Sequence, residues 1–122
     1  LRLSSAELAI CRLEPKAGLP LWLGDIEPVS VTRTATELSV VCPTVIVPFG
    51  VKHSAGWRCI VVEGRLDFEE VGVLLSLLAP LAEVGVSVFA LSTYDTDLLL
   101  VREEDLDRAC TALSAAGHRL EI

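Results

Sequence analysis

Aromatic residues are scarce in this chain, and methionine is absent. Of its 122 residues, Phe, Trp and Tyr together make up only 5%. Hydrophobic residues nonetheless account for 52%, and the mean hydropathy is +0.55. Because disordered chains are poor in Leu, Val and Ile, this composition excludes disorder and predicts a core of aliphatic side chains. The length allows one compact domain or two very small ones.

Positive charge is scarce as well. Ten Lys and Arg residues stand against 17 Asp and Glu residues, which gives a net charge of −7. Nucleic acids and anionic membranes bind to positive patches, so this balance argues against both as partners. It is compatible with a cationic or zwitterionic small ligand.

The longest apolar stretch, residues 71–94, lacks the uniformity of a membrane span. Its only charge is Glu83, and its length would be sufficient to cross a bilayer. However, Pro80, Glu83 and Gly85 fall near its middle, where the apolar spacing changes from about 3.6 to about 2. We therefore predict a buried helix followed by a buried strand, and no membrane partner.

The cysteines form neither a metal-binding nor a disulfide pattern. Four are present, and no CxxC pair occurs among them. Cys11, Cys59 and Cys110 each stand among apolar neighbours, so we expect buried, reduced thiols, which fit a cytoplasmic protein. Residues 1–10 include Arg2 and do not resemble a signal peptide.

Motifs for catalysis and for cofactor binding are also missing. No GxSxG, GxGxxG or GxxxxGK[ST] sequence occurs. Neither of the two histidines, His53 and His118, has a second histidine or cysteine three or four residues away, the spacing that metal-ligand pairs usually show. We therefore expect no catalytic residue, no metal and no cofactor, and we expect that the protein is not an enzyme.

Hydrophobic periodicity predicts two helices in the second half. Residues 68–83 follow the i, i+3, i+4, i+7 pattern, with Asp67 as N-cap, Glu70 completing a capping box and Gly85 as the stop. Residues 103–116 form the second helix, with acidic residues at its start. Short aliphatic runs predict strands at 57–63, 86–92, 96–101 and 120–122. The order βαββαβ predicts the α+β ferredoxin-like fold, a four-stranded antiparallel sheet with two helices on one face.

The first half of the chain resembles a degenerate copy of the second half. Three segments recur in type: 29–31 at 86–88, 36–41 at 96–101, and 9–13 at 60–63. Pro and Gly interrupt the segment after residue 13, so at most one helical turn, at 21–23, is expected there. We predict a degenerate, mostly β half at 1–56 and a complete domain at 57–122, packed as one body.

Polar residues are concentrated between two predicted strands, where they form a hairpin loop: Ser92, Thr93, Tyr94, Asp95, Thr96 and Asp97. A solvated turn would explain them, although tight hairpins more usually contain Asn-Gly or Asp-Gly. Backbone N–H groups at the start of the first helix suit a ligand carboxylate, whereas Asp97 and Glu70 suit an ammonium or guanidinium group. The residues therefore predict a pocket for a free amino acid, with a solvated loop as the alternative.

Residues 57–103 resemble the ACT domain, in the subgroup of small bacterial ACT proteins, aspartokinase regulatory regions and cytosolic arginine sensors. The resemblance rests above all on the polar segment 92–97 followed by Leu100-Val101. Residues 38–43 resemble the degenerate N-terminal half of that subgroup. Further shared residues are Glu63-Gly64, Leu66-Asp67-Phe68, Gly72 and Ala79-Pro80-Leu81-Ala82.

The resemblance implies a non-catalytic, allosteric regulatory module that binds an amino acid between two ACT units. In the arginine sensors a glycine is expected where this chain has Asp67, so the identity of the amino acid stays open. Because one chain has one well-formed unit, we expect a homodimer that the ligand stabilises by mass action. The implied ligand-binding residues are Asp67, Phe68, Glu70 and Val73 at the helix start, Thr93, Tyr94 and Asp97 in the hairpin, and Ser87 and Val88 from the facing unit.

Two other functions are compatible with the sequence. The same fold could serve as a ligand-free module for dimerisation or for docking on an enzyme, with the hairpin side chains pointing into solvent. An amino-acid-handling enzyme would need an acid–base pair beside a cleft, for which Glu70 and Asp97 are the only candidates and have no nucleophile beside them.

Overall fold

The structure, a computed structural model, describes residues 1–63 and 71–121. The chain divides into two compact units, and each is described by itself. The N-terminal unit is Ala6–Gly56, and the C-terminal unit combines Leu1–Ser5 with the described residues of Trp57–Ile122. The domain division expected at residue 57 stays a prediction.

The described residues form strands and helices whose bounds are as follows. The strands are β1 (Arg2–Leu13), β2 (Ser30–Arg33), β3 (Leu38–Pro43), β4 (His53–Val61), β5 (Phe89–Ser92) and β6 (Asp97–Arg102), and the helices are α1 (Val73–Glu83) and α2 (Leu106–Ala115). Single 3₁₀ turns lie at Leu21–Leu23, Thr44–Ile46 and Glu103–Asp105.

The C-terminal unit has the α+β ferredoxin-like arrangement that the sequence predicts. Strand β6 pairs antiparallel with β4 on one side and with β5 on the other. Both helices pack on one face of these strands, because alternate strand residues and one stripe of each helix are apolar. The buried side chains of this core are Ile60, Val62, Leu77, Leu81, Val86, Leu99, Val101, Ala109 and Leu113.

Helix α1 begins at Val73, five residues later than predicted. Gly72 precedes it in the left-handed conformation, with φ 85° and ψ −2°, and makes no side-chain capping bond. A left-handed residue cannot continue a right-handed helix, so the predicted start at Phe68 is wrong. The predicted cap residues Asp67 and Glu70 lie outside the described residues.

The end of α1 is as predicted, since Gly85 adopts φ 75° and stops the helix. Pro80 lies inside α1 and has no N–H to donate to the carbonyl of Ser76. His118 lies just after α2, and its Nε2–H donates a hydrogen bond of 3.0 Å to the carbonyl of Ser76. A side chain from the end of α2 thus replaces the bond that Pro80 removes from α1.

The ends of the C-terminal strands differ from the predictions. The predicted strand 57–63 extends over His53–Val61, and 86–92 is reduced to Phe89–Ser92. The predicted last strand, 120–122, is a single parallel bridge between Arg2 and Glu121. Backbone bonds of 2.8 Å join Leu3 N–H to Glu121 O and Glu121 N–H to Leu1 O.

The second predicted helix, 103–116, is present but is not α-helical throughout. Its acidic start forms the 3₁₀ turn Glu103–Asp105, and the α-helix covers Leu106–Ala115. Gly117 adopts φ 95° beyond its end, as expected of a helix stop.

The N-terminal unit is mostly β, as predicted. Its strands are ordered β2-β3-β1 with antiparallel pairing. The single helical turn expected at 21–23 is confirmed as the 3₁₀ turn Leu21–Leu23, and the described loop 14–29 contains no longer helix. The core of this unit consists of Ala9, Cys11, Leu23, Leu38, Val40 and Cys42.

The two units contain the same hairpin, which we call the N-hairpin (30–43) and the C-hairpin (89–102). The last strand pair is Arg33–Leu38 in the N-hairpin and Ser92–Asp97 in the C-hairpin, so both turns have four residues. Each second strand runs directly into a 3₁₀ turn. The hairpins are therefore related by an offset of 59 residues, and both 3₁₀ turns keep it.

This offset corrects the register of the repeat. Matching 36–41 with 96–101 is wrong by one residue, because Thr36 takes the place of Asp95. Matching 29–31 with 86–88 is wrong by two. The repeat itself is real, and its position is defined by strand pairing rather than by identical letters.

Within the described residues, no helix combines the length and the apolar character that a membrane crossing requires. Helix α1, which lies in the first half of the long apolar stretch, has 11 residues.

Candidate functional site

The turn of the C-hairpin is held by its first and last residues. Thr93 N–H donates to Thr96 O at 2.8 Å, and Thr93 Oγ1 accepts from Thr96 N–H at 3.1 Å. The Thr93 hydroxyl also donates to Thr96 O at 3.0 Å. These bonds place Tyr94 and Asp95 at the tip, where the Tyr94 side chain is 69% exposed.

Thr96 ties this turn to the end of β4. Its hydroxyl donates to the carbonyl of Val62, and Val62 N–H donates to Asp97 O at 3.0 Å. Residue 62 is where the chain leaves the sheet toward α1. The base of the hairpin is thus fixed beside the start of that connection. Thr96 is a positioning residue, which the sequence places in the polar segment but not among the predicted ligand-binding residues.

Asp97 is a carboxylate that the hairpin holds in a defined orientation. It is half-buried and is the first residue of β6. Its Oδ1 accepts a 2.6 Å hydrogen bond from the hydroxyl of Ser92, the residue opposite it in the strand pair. Its side chain projects from the helix-covered face, because Leu99 two residues on belongs to that core. Ser92 was likewise predicted as part of the polar segment but not as a site residue, although the register of the hairpin places it opposite Asp97.

The other predicted ligand-binding residues lie in several places. Val73 is the half-buried first residue of α1, and Thr93 and Tyr94 are exposed in the turn. Ser87 is exposed and Val88 packs against the core, both before β5, at the opposite end of that strand from the turn. The structure brings Asp97 together with Ser92 and the turn, and it places Ser87 and Val88 apart from them. Asp67, Phe68 and Glu70 lie outside the described residues.

Two arginines of the C-terminal unit, Arg58 and Arg102, make contacts away from the turn. Arg58 donates to Glu103 at 3.3 Å and to the Ser4 carbonyl at 3.1 Å. The Arg102 guanidinium lies 4.6 Å above the ring of Trp57, a cation–π contact. Residues 92–97 contain two carboxylates and no basic side chain, so this segment favours a positively charged group. Arg2, which lies near the end of β4, is paired with Glu63 at 2.6 Å.

The cysteines are unsuited to nucleophilic chemistry. All four are free, and Cys11, Cys42 and Cys59 are buried. Loss of solvation raises the pKa of Cys42 to about 12 and that of Cys59 to about 11, and it also raises the pKa of Cys11 and Cys110. The thiols therefore stay protonated near neutral pH, whereas the thiolate is the reactive form. Among residues 1–63 and 71–121, no three His, Cys, Asp or Glu side chains are grouped to hold a metal ion.

An open groove of about 460 Å³ lies between the helices of the C-terminal unit. Small side chains form most of its lining, and Glu83 is its only ionisable group. It offers few of the polar contacts that would orient an amino acid. Its lining residues are Ser76, Ala79, Pro80, Glu83, Val84, Ala112, Ala115 and Ala116.

Comparison with known families agrees with this architecture. A family model described as the ACT domain matches residues 52–115, more than half of the chain. The chain belongs to the ACT domain family. A second family model, of an N-terminal domain, matches residues 6–49, which contain the N-hairpin.

Three relatives show how far the similarity extends. A crystal structure of an Agrobacterium tumefaciens protein is 38% identical, with a TM-score of 0.91 over 98% of this ACT chain and 89% of that chain. The human cytosolic arginine sensor for mTORC1 subunit 1 is 68% identical over 31 residues, a quarter of this chain and 9% of that protein. The Clostridium acetobutylicum aspartate kinase, an allosteric enzyme, has a TM-score of 0.67 at 10% identity, over 93% of this chain and 33% of that chain. This ACT chain is thus similar to a small part of an arginine sensor, and it has the fold of part of an allosteric enzyme.

Proposed function

We propose that this ACT protein is a non-catalytic sensor that binds a free amino acid at the turn of the C-hairpin. The observation that carries the proposal is the Asp97 carboxylate, oriented by Ser92 beside the end of β4 in a segment without basic side chains. An oriented, half-buried carboxylate is a good acceptor for an ammonium or guanidinium group.

The carboxylate of the ligand needs donors of its own, and the start of α1 supplies them. The first N–H groups of a helix have no partner within it, and the positive end of the helix dipole favours an anion. In α1 these groups begin at Val73, whereas Ser76 N–H already donates to Gly72 O at 2.9 Å. Asp67, Phe68 and Glu70 stay predicted contacts of the same ligand.

A second copy of the chain completes the proposed site. Ser87 and Val88 lie at the far end of β5 from the turn, so their proposed contacts must come from another unit. The N-hairpin is a poor substitute for a second C-hairpin, since Leu38 stands in the place of Asp97 and Ala35 in the place of Tyr94. We therefore propose a homodimer that amino-acid binding stabilises, which would report the ligand to a regulated partner.

A thermal-shift screen of the twenty amino acids tests this function. We expect at least one amino acid to raise the Tm of the wild type but not of Asp97→Asn, which keeps the shape and removes the charge. Asp107→Asn, a change at an exposed carboxylate on α2, is the matched control and should keep the shift. Sedimentation with that amino acid should show more dimer. No shift at millimolar concentrations, or a shift that Asp97→Asn retains, would contradict the proposal.

Exposed apolar side chains favour a second candidate, a docking module that needs no ligand. In the N-terminal unit Leu21 is 98% exposed, Val45 is 87% exposed and Phe49 is fully exposed. Such side chains are typical of protein-binding surfaces when they cluster. A dimer that forms equally well without amino acids, and that Phe49→Ser weakens while Asp97→Asn does not, would favour this candidate.

A further inference from the structure

Arg33 makes a contact in the N-terminal unit that has a bearing on the ligand site. Its guanidinium donates to two backbone carbonyls of the loop after β1, those of Pro15 and Ala17, the latter at 2.8 Å. Leu38, across the strand pair, is fully buried and offers no charge to it. The carbonyls are therefore the partners of this positive charge.

The place that Arg33 occupies is the counterpart of the proposed ligand site. Arg33 corresponds to Ser92, because each forms the last strand pair before a four-residue turn. Leu13 lies opposite Leu38 as Val62 lies beside Asp97, so the loop after Leu13 corresponds to the connection after Val62. In the N-terminal unit a guanidinium thus joins the hairpin to the connection that follows the first strand.

The charges at the two places have opposite signs. The N-hairpin carries a cation at position 33 and an apolar side chain at 38, whereas the C-hairpin carries a hydroxyl at 92 and a carboxylate at 97. The N-terminal unit therefore has a cation of its own, Arg33, at the position where the C-terminal unit would accept the cationic group of a ligand.

We infer that Arg33 is a built-in ligand of the N-terminal unit. It closes the counterpart of the sensor site, so that each chain offers one ligand site, at the C-hairpin. Removal of Arg33 leaves the carbonyls of Pro15 and Ala17 as an open cradle for a free guanidinium compound. That the counterpart in the C-terminal unit is a ligand site rests on the proposed function, but the cradle does not.

Chemical rescue tests the cradle directly. Arg33→Ala should lower the Tm, and about 20 mM methylguanidinium should restore roughly half of the loss, since a ligand that binds only the folded state stabilises it. The same concentration of tetramethylammonium, a cation without N–H donors, should restore none. The matched control is Arg12→Ala, which removes a guanidinium bonded at 3.0 Å to the single carbonyl of Thr36 and should not be rescued.

Rescue that is absent, or equal in both variants, would overturn the inference. If Arg33→Ala does not fold, Arg33→Gln keeps a shorter donor, and its amide and methyl resonances near Pro15 should shift with methylguanidinium and not with tetramethylammonium. Calorimetric titration with the amino acid found above should give one site per chain in the wild type. Rescue without any amino-acid binding would disprove the sensor function and leave the cradle intact.

Discussion

The N-hairpin and the C-hairpin share a backbone and differ in chemistry. In both, a threonine begins a four-residue turn and its hydroxyl accepts the N–H of the fourth residue, at 3.2 Å for Thr34 and 3.1 Å for Thr93. Between the hairpins, Arg33 is exchanged for Ser92 and Leu38 for Asp97. Turn hydroxyls and strand pairing therefore define the shape of each hairpin. The two side chains of the last strand pair before the turn decide what the site can bind.

The largest expected effect comes from exchanging the residues at the last pair. Leu38→Asp should destabilise the protein by about 4 kcal/mol, because Leu38 is fully buried and the new carboxylate would have no partner in an apolar core. Asp97→Leu should change stability by less than about 1 kcal/mol, since its site is half-buried and half-apolar, yet it should abolish amino-acid binding. Urea unfolding monitors both, and equal losses in the two variants would disprove the contrast.

Alkaline pH should distinguish the thiols of the two units. Burial raises the pKa of Cys42 to about 12 and of Cys59 to about 11, from an ordinary value of 9.0. The folded state then holds protons that the unfolded state has lost, so stability falls as pH rises above about 9, by about 2 kcal/mol for each of the two thiols at pH 11.

The matched variants for this effect are Cys42→Ala and Cys59→Ala. Cys42→Ala should flatten the decline more, because the Cys42 pKa is raised further and Cys11 lies close enough to contribute to it. Urea midpoints measured from pH 7 to 11 provide the comparison, and an equal slope in wild type and both variants would show that other groups control alkaline unfolding.

A smaller effect is expected at the turn threonines. Thr34→Val and Thr93→Val each keep the shape and remove the hydroxyl that accepts the turn N–H, so each should lose about 1 kcal/mol. Similar losses would confirm that the hairpins use the same device. Only Thr93→Val should also weaken amino-acid binding, and weakening by Thr34→Val would place ligand at the N-hairpin instead.

The smallest effect concerns the helix contact that the N-terminal unit lacks. His118→Ala should lose up to about 1 kcal/mol, because the carbonyl of Ser76 loses its donor. In a Pro80→Ala background the loss should nearly vanish, since the introduced alanine has an N–H that can donate to Ser76 within the helix. A double-mutant cycle measures this coupling, and a cycle that closes with no coupling energy would contradict it.

Local signals predicted the elements better than their ends. The apolar stripe found the body of α1, but its start depends on Gly72, whose left-handed conformation no apolar period reveals. The repeat was recognised from similar letters and placed one residue off, because Thr36 and Thr96 are alike while strand pairing makes Thr36 the counterpart of Asp95. Patterns within one segment are local, whereas registers come from pairing between segments.

In the candidate site, too, local sequence patterns predicted single residues but not the contacts between segments. Asp97 stood out as a charge beside an aliphatic strand, but its partner Ser92 follows only once the hairpin register is known. The bond from Thr96 to Val62 joins positions 34 apart and leaves no trace in the sequence of either segment. The contact of Arg33 with Pro15 and Ala17 is equally invisible to motif searching.

The C-terminal unit is formed by two segments that are separated in the sequence, and this affects how the protein can be divided into fragments. Leu1 and Leu3 pack against its core, although 51 residues separate Leu1–Ser5 from Trp57. A fragment that starts at residue 57 would lack them, whereas a circular permutant that joins residue 122 to residue 1 and opens the loop near Gly50 would keep this unit in one uninterrupted piece.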